Sequence, residues 1–320
     1  MSWKTYIDGN SVGHAANHGN AKQRKLYSGG QETTAIYGLV RSLQVILRNR
    51  THAAPIVLWD GRSWRFERFA EYKGSRTDTA EKLAERAAYK SQMPSMVRAC
   101  HLLGLRQMIA GNMEADDLGA ILTRDAVKKG IKVALITGDK DWLQMVQPGV
   151  VWVDHKSNPE RKCSATEFKA FTGYETQKAF VHSKGLIGDS GDNIKPRTGI
   201  GKDLAPLLLE VFPCVHTFLA TPLIEAEDRY FLRHGKRMSS GMRKFHADKD
   251  VQARFEWALE MMDLDHPSIP APRQMRVTHA PLDRAGFEKF CMEHAFHSVL
   301  QDMDRFIQPF ITLDKEFPKI

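Results

Sequence analysis

Three apolar runs in this chain end in carboxylates. "TYID" closes on Asp8, "PIVLWD" on Asp60, and "VALITGDKD" on Asp139 and Asp141. Each run has the length and composition of a short buried strand. Between them lie segments whose apolar residues recur at three and four positions, notably 33–48 "TTAIYGLVRSLQVILR" and 117–129 "DLGAILTRDAVKK". Strands alternating with helices predict an α/β fold with a mostly parallel central sheet flanked by helices. Ligands of such sheets bind in the crevice beyond the carboxyl ends of the strands, so these acids are expected to converge. A single strand-end Asp is an ordinary turn former or helix cap. Three acidic strand ends in one sheet are not accounted for that way.

Two further acidic groups extend the pattern. "EADD" places Glu114, Asp116 and Asp117 at the start of the helix that runs through Leu118, Ile121 and Leu122. Acids in a first helical turn complement the helix dipole. Three within four residues also repel one another, which a cation would relieve. In "GDSGDN" Asp189 and Asp192 stand three apart, ahead of a glycine-and-proline turn. Carboxylates alone suit a hard divalent cation such as Mg²⁺. The four cysteines, Cys100, Cys163, Cys214 and Cys291, are scattered without a CxxC pair. Neither Cys nor His is clustered in sequence, so no zinc site is expected, and free thiols suggest a reducing, cytoplasmic setting. His14 and His18, four apart without a Glu beside His14, read as surface or packing residues. Two divalent ions about 4 Å apart would clamp a phosphodiester.

Charge supports the same direction. Lys and Arg number 46 against 38 Asp and Glu, a net charge of +8. Such an excess suggests a polyanionic partner, and with so many acids gathered the picture is an acidic pocket in a basic surface. No basic-then-apolar leader opens the chain and no run approaches a membrane span, so no membrane association is expected. Residues 62–90 interleave eight basic side chains with Trp64, Phe66, Phe69, Tyr72 and Tyr89. That pattern suits single-stranded nucleic acid, with rings to stack on bases, and equally suits a solvated amphipathic helix. After residue 185 helices and turns take over: 203–212, a basic stretch at 233–246, a proline-rich crossing at 263–273 and a last helical pattern at 283–307. The expected division is an α/β core over 1–184, with a basic arch at about 62–92, and a helical module over 185–320.

"YIDGN", "WDG", "EYKGSR", "EADD", "TGDKDWLQ" and "GDSGDNIKPRTGIG", in that order, resemble the 5′-nucleases: flap endonucleases, phage 5′–3′ exonucleases and the small 5′-nuclease domain of bacterial DNA polymerases. The resemblance covers roughly residues 5–215. It implies a resolvase-like, PIN-like core with a helix-three-turn-helix module. The metal ligands it implies are Asp8, Asp60, Glu114, Asp116, Asp117, Asp139, Asp141, Asp189 and Asp192. They would hold two Mg²⁺ ions, for which Mn²⁺ can substitute, with a K⁺ at the turn. Lys73, Arg76 and Lys184 are implied at the scissile phosphate. Tyr72, Asn193, Arg197, Gly199, Gly201 and Lys202 are implied contacts to DNA. Small Gly199 and Gly201 would let backbone N–H groups approach a phosphate. Lys195-Pro196-Arg197 departs from the family's commoner "PGV" or "RGV". The implied activity is a monomeric, stand-alone 5′–3′ exonuclease and flap endonuclease acting on DNA with a free 5′ end, RNA-primed ends included, in replication, primer removal or repair. The competing readings are a ribonuclease of similar acidic α/β fold, usually shorter and without the "GIG" turn, and a catalytically silent DNA-binding subunit, which would have lost site acids.

Overall fold

The computed structural model describes residues 3–21, 25–48, 53–74, 79–157 and 159–316. Its centre is a seven-stranded sheet. The strands in chain order are β1 (Trp3–Asp8), β4 (Ala53–Trp59), β5 (Arg106–Ile109), β6 (Lys132–Ile136), β7 (Val150–Asp154), β8 (Arg161–Cys163) and β9 (Arg276–Thr278), and a separate small hairpin is formed by β2 (Tyr27–Ser28) and β3 (Gln31–Glu32). The order across the large sheet is β8-β7-β6-β1-β4-β5-β9. The five inner strands run parallel and the two edge strands antiparallel. β1 and β6, "WKTYID" and "KVALI", are almost wholly buried towards their C-terminal ends, as expected of strands covered by helices on both faces. The expected strands and the mostly parallel α/β architecture are present.

Two apolar layers flank the sheet. On one face Ile7, Val57 and Ile136 pack against the helix Thr34–Arg48, with Leu39, Leu43 and Leu47, and against Met96 and Cys100 of the helix Ala80–Leu102. On the other face Tyr6, Leu58 and Leu135 meet Leu118 of the helix Ala115–Lys128 together with Trp142 and Trp152. A third core is purely helical: Leu186, Ile200, Leu208, Phe218, Phe245 and Phe255 join the helices Gln177–Ile187, Ala205–Val211, Val215–Ala220, Ser240–Ala247 and Lys249–Met262.

The chain is divided differently from the sequence expectation. Helix Gln177–Ile187 already belongs to the helical core, so that core begins before residue 185. Beyond the crossing at 263–273 the chain returns to the sheet. β9 adds to β5, and Phe287, Phe290, Phe306 and Phe310 of the helices Arg284–Glu293 and Met303–Glu316 pack into the first α/β layer beside Leu43. The helical module is thus an insertion between β8 and β9, and both ends of the chain help build the α/β core.

Candidate metal and nucleic-acid site

The carboxyl ends of the parallel strands carry the acids. Asp8 is the last residue of β1, and Asp60 follows the last residue of β4. Asp139 caps the short 3-10 helix Lys140–Met145 after β6, its carboxylate accepting the Asp141 N–H at 2.8 Å. Glu114 caps the helix Ala115–Lys128. Asp189 and Asp192 arrive from the helical module on the turn after helix Gln177–Ile187.

Hydrogen bonds fix these groups. Asp8 accepts from the Ser11 N–H at 2.8 Å and from the Thr137 hydroxyl at 2.9 Å. The Thr137 hydroxyl oxygen accepts in turn from the Asp139 N–H at 3.0 Å. Asp60 accepts from the Ala115 N–H at 2.8 Å, which ties β4 to the "EADD" helix. Asp189 accepts from the N–H groups of Gly191 at 2.8 Å and Asp192 at 3.2 Å.

Gathering like charges raises their affinity for protons. Burial, then the charges of Asp60 and Asp139, push the Asp8 carboxyl up to about 7. Asp139 opens onto the crevice, yet the protein around it and the neighbouring Asp141 push it up to about 6. Asp60 is raised by its surroundings and by Glu114. Asp116 is raised by desolvation and by Asp117. Two lysines offset the remainder. Lys73 pairs with Glu114 and, despite burial, Lys73 and Arg65 hold that carboxyl below its usual range. Lys184 pairs with Asp141 and lies 4.0 Å from Asp189. Burial works against its charge, but Asp141 and Asp189 hold its pKa above the ordinary lysine value.

Eight of the nine sequence-nominated acids therefore border one crevice with Lys73 and Lys184. Asp117 does not. It is fully buried, and both its oxygens accept from Arg65, at 2.8 and 2.9 Å. Arg65 also donates to the Met261 carbonyl at 2.6 Å and lies 3.4 Å from Glu114. Asp117 is the counter-ion of a buried guanidinium that anchors the acidic helix to helix Lys249–Met262. Sequence pattern had placed Arg65 among the arch cations.

The arch reading also changes. Among the described residues of 62–90, Trp64, Tyr72 and Tyr89 are buried, and Phe69 packs edge-on against Trp257 at 5.2 Å. Tyr72, expected to contact DNA, is 3% exposed, with its ring against Phe66 at 5.3 Å. Its hydroxyl sits 2.7 Å from Glu114 and 2.9 Å from Asp192. Only one of these can receive its single proton at a time. Trp64 and Tyr72 are core packing, and Arg65 of the same stretch is buried with them, while Phe66 and Tyr89 also border an open pocket. What remains open is a pocket of about 600 Å³ lined by Asp60, Lys73, Lys82, Arg86, Lys90 and His14 among others. His14 stacks on Tyr89 at 3.6 Å. Arg76 and the His18 side chain lie outside the described residues.

The turn 188–201 joins the crevice to the helical module. Lys73 N–H donates to the Asp192 carbonyl at 3.0 Å, and the Asn193 amide donates to the Glu71 carbonyl at 3.1 Å. Asn193, expected at the DNA, thus braces the arch base. Arg197, Gly199, Gly201 and Lys202 are exposed. Gly199 has φ +78°, in the left-handed region. It backs so closely onto Gly241 that a Cβ on Gly241 would stand 2.4 Å from the Gly199 carbonyl oxygen. Gly201 differs, because a Cβ there would meet nothing within 4 Å. Its smallness is not demanded by the protein's own packing.

The donor set fits hard cations. All of its members are oxygens, and burial followed by one another's charge raises the proton affinity of Asp8, Asp60, Asp116 and Asp139, a burden that a cation would relieve. Histidine and cysteine, which sequence spacing does not gather into a trio, do meet in the fold. Among the described residues the trio of ligand atoms lying within 4.8 Å of one another is His182, Cys214 and His216, not a carboxylate trio. No helix is long and apolar enough to cross a membrane.

The N-terminal resolvase-like domain of the 5′–3′ exonucleases matches residues 5–173. DNA polymerase I of Bacillus caldotenax is 30% identical over 201 residues, 60% of this chain and 22% of that protein. DNA polymerase I of Bacillus subtilis is 29% identical over 216 residues, 67% of this chain and 24% of that protein. This chain therefore spans less than a quarter of the length of those relatives. In three dimensions it is similar to the bacteriophage T5 flap endonuclease solved with DNA and metal ions, at a TM-score of 0.62 and 19% identity, covering 97% of this chain and 98% of that one. Flap endonuclease-1 from Methanococcus jannaschii superposes at 0.53 with 14% identity, over 97% and 93% of the two chains. At those identities the structures speak for the fold. With residues 5–173, more than half of its length, matched by that domain, this chain belongs to the 5′–3′ exonuclease family.

Proposed function

We propose that this chain is a divalent-metal-dependent 5′-nuclease that hydrolyses DNA phosphodiesters at or near a free 5′ end and leaves 5′-phosphorylated products. The observation that carries the reading is the gathering of Asp8, Asp60, Glu114, Asp116, Asp139, Asp141, Asp189 and Asp192 at one crevice beside Lys73 and Lys184. Two Mg²⁺ ions held by these carboxylates would lower the pKa of an attacking water and stabilise charge on the entering and leaving oxygens. The protein's own part is positional. Thr137 and Ser11 orient Asp8, and the Ala115 N–H orients Asp60. Lys73 and Lys184 are placed to meet developing negative charge on a phosphate once the cations take over their carboxylate partners. Lys82, Arg86 and Lys90 give the 600 Å³ pocket a cationic wall suited to a 5′-terminal strand. Arg197, Gly199, Gly201 and Lys202 present an exposed turn to the duplex.

Asp139→Asn keeps an oxygen for the Asp141 N–H and removes the charge, so it should abolish cleavage while DNA affinity stays or rises. The test is side-by-side digestion of 5′-flap, nicked, blunt and RNA-primed duplexes in Mg²⁺, with binding followed in Ca²⁺. Undiminished turnover in Asp139→Asn at saturating Mg²⁺ would sink the metal assignment, and products with a 5′-hydroxyl would sink the reaction.

A further inference from the structure

The helix Gln177–Ile187 has a second chemical face. At about 100° per residue, His182 points away from Lys184 and from the carboxylate crevice. His182 is buried, at 3% exposure, and approaches Cys214, at 6%, and the exposed His216. One ligand atom from each lies within 4.8 Å of the others, and the two imidazole rings stand 4.8 Å apart at 84°. Cys214 and His216 stand two apart at the start of helix Val215–Ala220, and folding of the helical core brings the distant His182 to them.

We propose that His182, Cys214 and His216 bind a borderline-soft divalent cation of the Zn²⁺ class, with Glu256 holding His216 in place. Two imidazoles and a thiolate select Zn²⁺ or Co²⁺ over the Mg²⁺ and Ca²⁺ that carboxylates prefer. His216 Nε2 is 2.8 Å from Glu256 Oε1. A proton on Nε2 directed at that carboxylate leaves the Nδ1 lone pair for a metal, the usual outer-sphere arrangement of a ligating histidine. The Cys214 sulfur lies 3.3 Å from the Thr217 hydroxyl, which can donate to a thiolate. Burial, then His216 and Lys178, push the His182 imidazole down to about 3, so it is neutral at physiological pH, as ligation requires. His182 Nδ1 accepts the Val215 N–H at 3.1 Å, and ligation through that atom exchanges the hydrogen bond for the cation.

Donors around a tetrahedral zinc with bonds of about 2.0–2.3 Å sit roughly 3.3–3.8 Å apart. Closing the trio from separations of up to 4.8 Å takes movements of about 1 Å. The thiol proton passes to solvent, no oxidation state changes, and a water completes four-coordination. The bound ion would tie together three elements: helix Gln177–Ile187, which runs on into Gly188 and Asp189, the start of helix Val215–Ala220, and helix Lys249–Met262 through Glu256. It would act as a clasp on the module that carries the turn 188–201.

The test uses the 320-residue chain in excess Mg²⁺, so that the carboxylates are occupied, and titrates Co²⁺ and then Zn²⁺. One equivalent of Co²⁺ should give a thiolate-to-Co²⁺ charge-transfer band that Zn²⁺ abolishes. The band should vanish in Cys214→Ser and His216→Ala, survive in Asp139→Asn, and require about 10–100-fold more Co²⁺ in Glu256→Gln. Because His216 is exposed, His216→Ala should fold with unchanged metal-free melting, and added Zn²⁺ should raise the melting temperature of wild type but not of that variant. No charge-transfer band in wild type, or one that persists in Cys214→Ser, overturns the proposal. So does Zn²⁺ stoichiometry that falls in Asp139→Asn and not in His216→Ala. None of these readouts depends on nuclease activity.

Discussion

Arg65 and Lys73 show how differently two cations from one basic stretch can act. Arg65 is 2% exposed, and its guanidinium is shared among Asp117, Glu114 and the Met261 carbonyl. Arg65→Met would leave Asp117 as a buried charge without its partner, a change that costs about 3–5 kcal/mol. Urea denaturation should show a loss of that order, and a loss below about 1 kcal/mol would mean that Asp117 finds another donor or protonates cheaply. Lys73 reaches Glu114 from a backbone with φ +58° beside the crevice. Lys73→Ala should slow the single-turnover rate by about 10²–10³ with a smaller effect on DNA affinity, as for a lost donor to transition-state charge. Equal losses in binding and no change in the rate from bound substrate would reduce Lys73 to a docking group. The acids at strand ends were legible in the sequence because strand, turn and helix fix where each must point. Arg65 and Tyr72 were misread because alternating cations and rings do not reveal which side chains fold inward, and Asp117 with them because its partner is the inward Arg65. Only the packing of helix Lys249–Met262 decides that, and it is far away in the chain. In the His182, Cys214 and His216 trio the sequence shows only the Cys214-Val215-His216 pair, and His182 joins it from more than thirty residues away.

At the scale of elements, the turn 188–201 is held from behind by helix Ser240–Ala247 and from the side by the arch base. The Gly199–Gly241 approach is too close for any side chain on Gly241, whereas Gly201 faces open space. The two glycines should therefore separate stability from binding. Gly241→Val should lower the melting temperature and, by pushing the turn, weaken duplex affinity. Gly201→Val should leave melting unchanged and weaken nicked-duplex binding more than single-strand binding, because the new side chain stands where a phosphate would approach. Its log–log salt slope should be shallower by about one unit for each phosphate that the variant no longer neutralises. Equal affinity losses for both substrates with an unaltered slope would place duplex binding elsewhere, at Lys236 and Arg237. Long periodic helices such as Thr34–Arg48 were readable to within a residue or two. The antiparallel edge strands β8 and β9, three residues each, were not, since so short a run has no period to detect. The return of the C-terminal helices to the α/β core was likewise hidden, because an apolar helical face does not say which of two cores it will cover.

Across the whole molecule, the acidic crevice makes stability a function of both pH and divalent cation. A carboxyl raised in the folded state binds more protons folded than unfolded between its two pKa values, so its contribution to stability falls as pH rises through that window. For Asp8 the window runs from its ordinary 3.8 to about 7, and for Asp139 from 3.8 to about 6. Asp60 and Asp116 shift in the same direction. For buried Asp8 alone, a shift of that size is on the order of 4 kcal/mol. His182 acts oppositely: its folded pKa is lowered to about 3 from 6.5, so its contribution is lost as pH falls below 6.5. The two effects can be separated with Mg²⁺, which would bind the carboxylates and leave His182 untouched. In chelator, melting temperature should decline between pH 6 and pH 8 as the last crevice carboxyls ionise against one another. In Mg²⁺ that decline should be removed, because the cation takes the place of the lost protons. The stabilisation by Mg²⁺ should therefore be larger at pH 8 than at pH 5.5, where protons compete for the same oxygens. In Asp8→Asn the pH dependence in chelator and the Mg²⁺ increment at pH 8 should shrink together, since both arise from the same charge. An Mg²⁺ increment independent of pH, or one undiminished in Asp8→Asn, would show that the ion binds away from the strand ends.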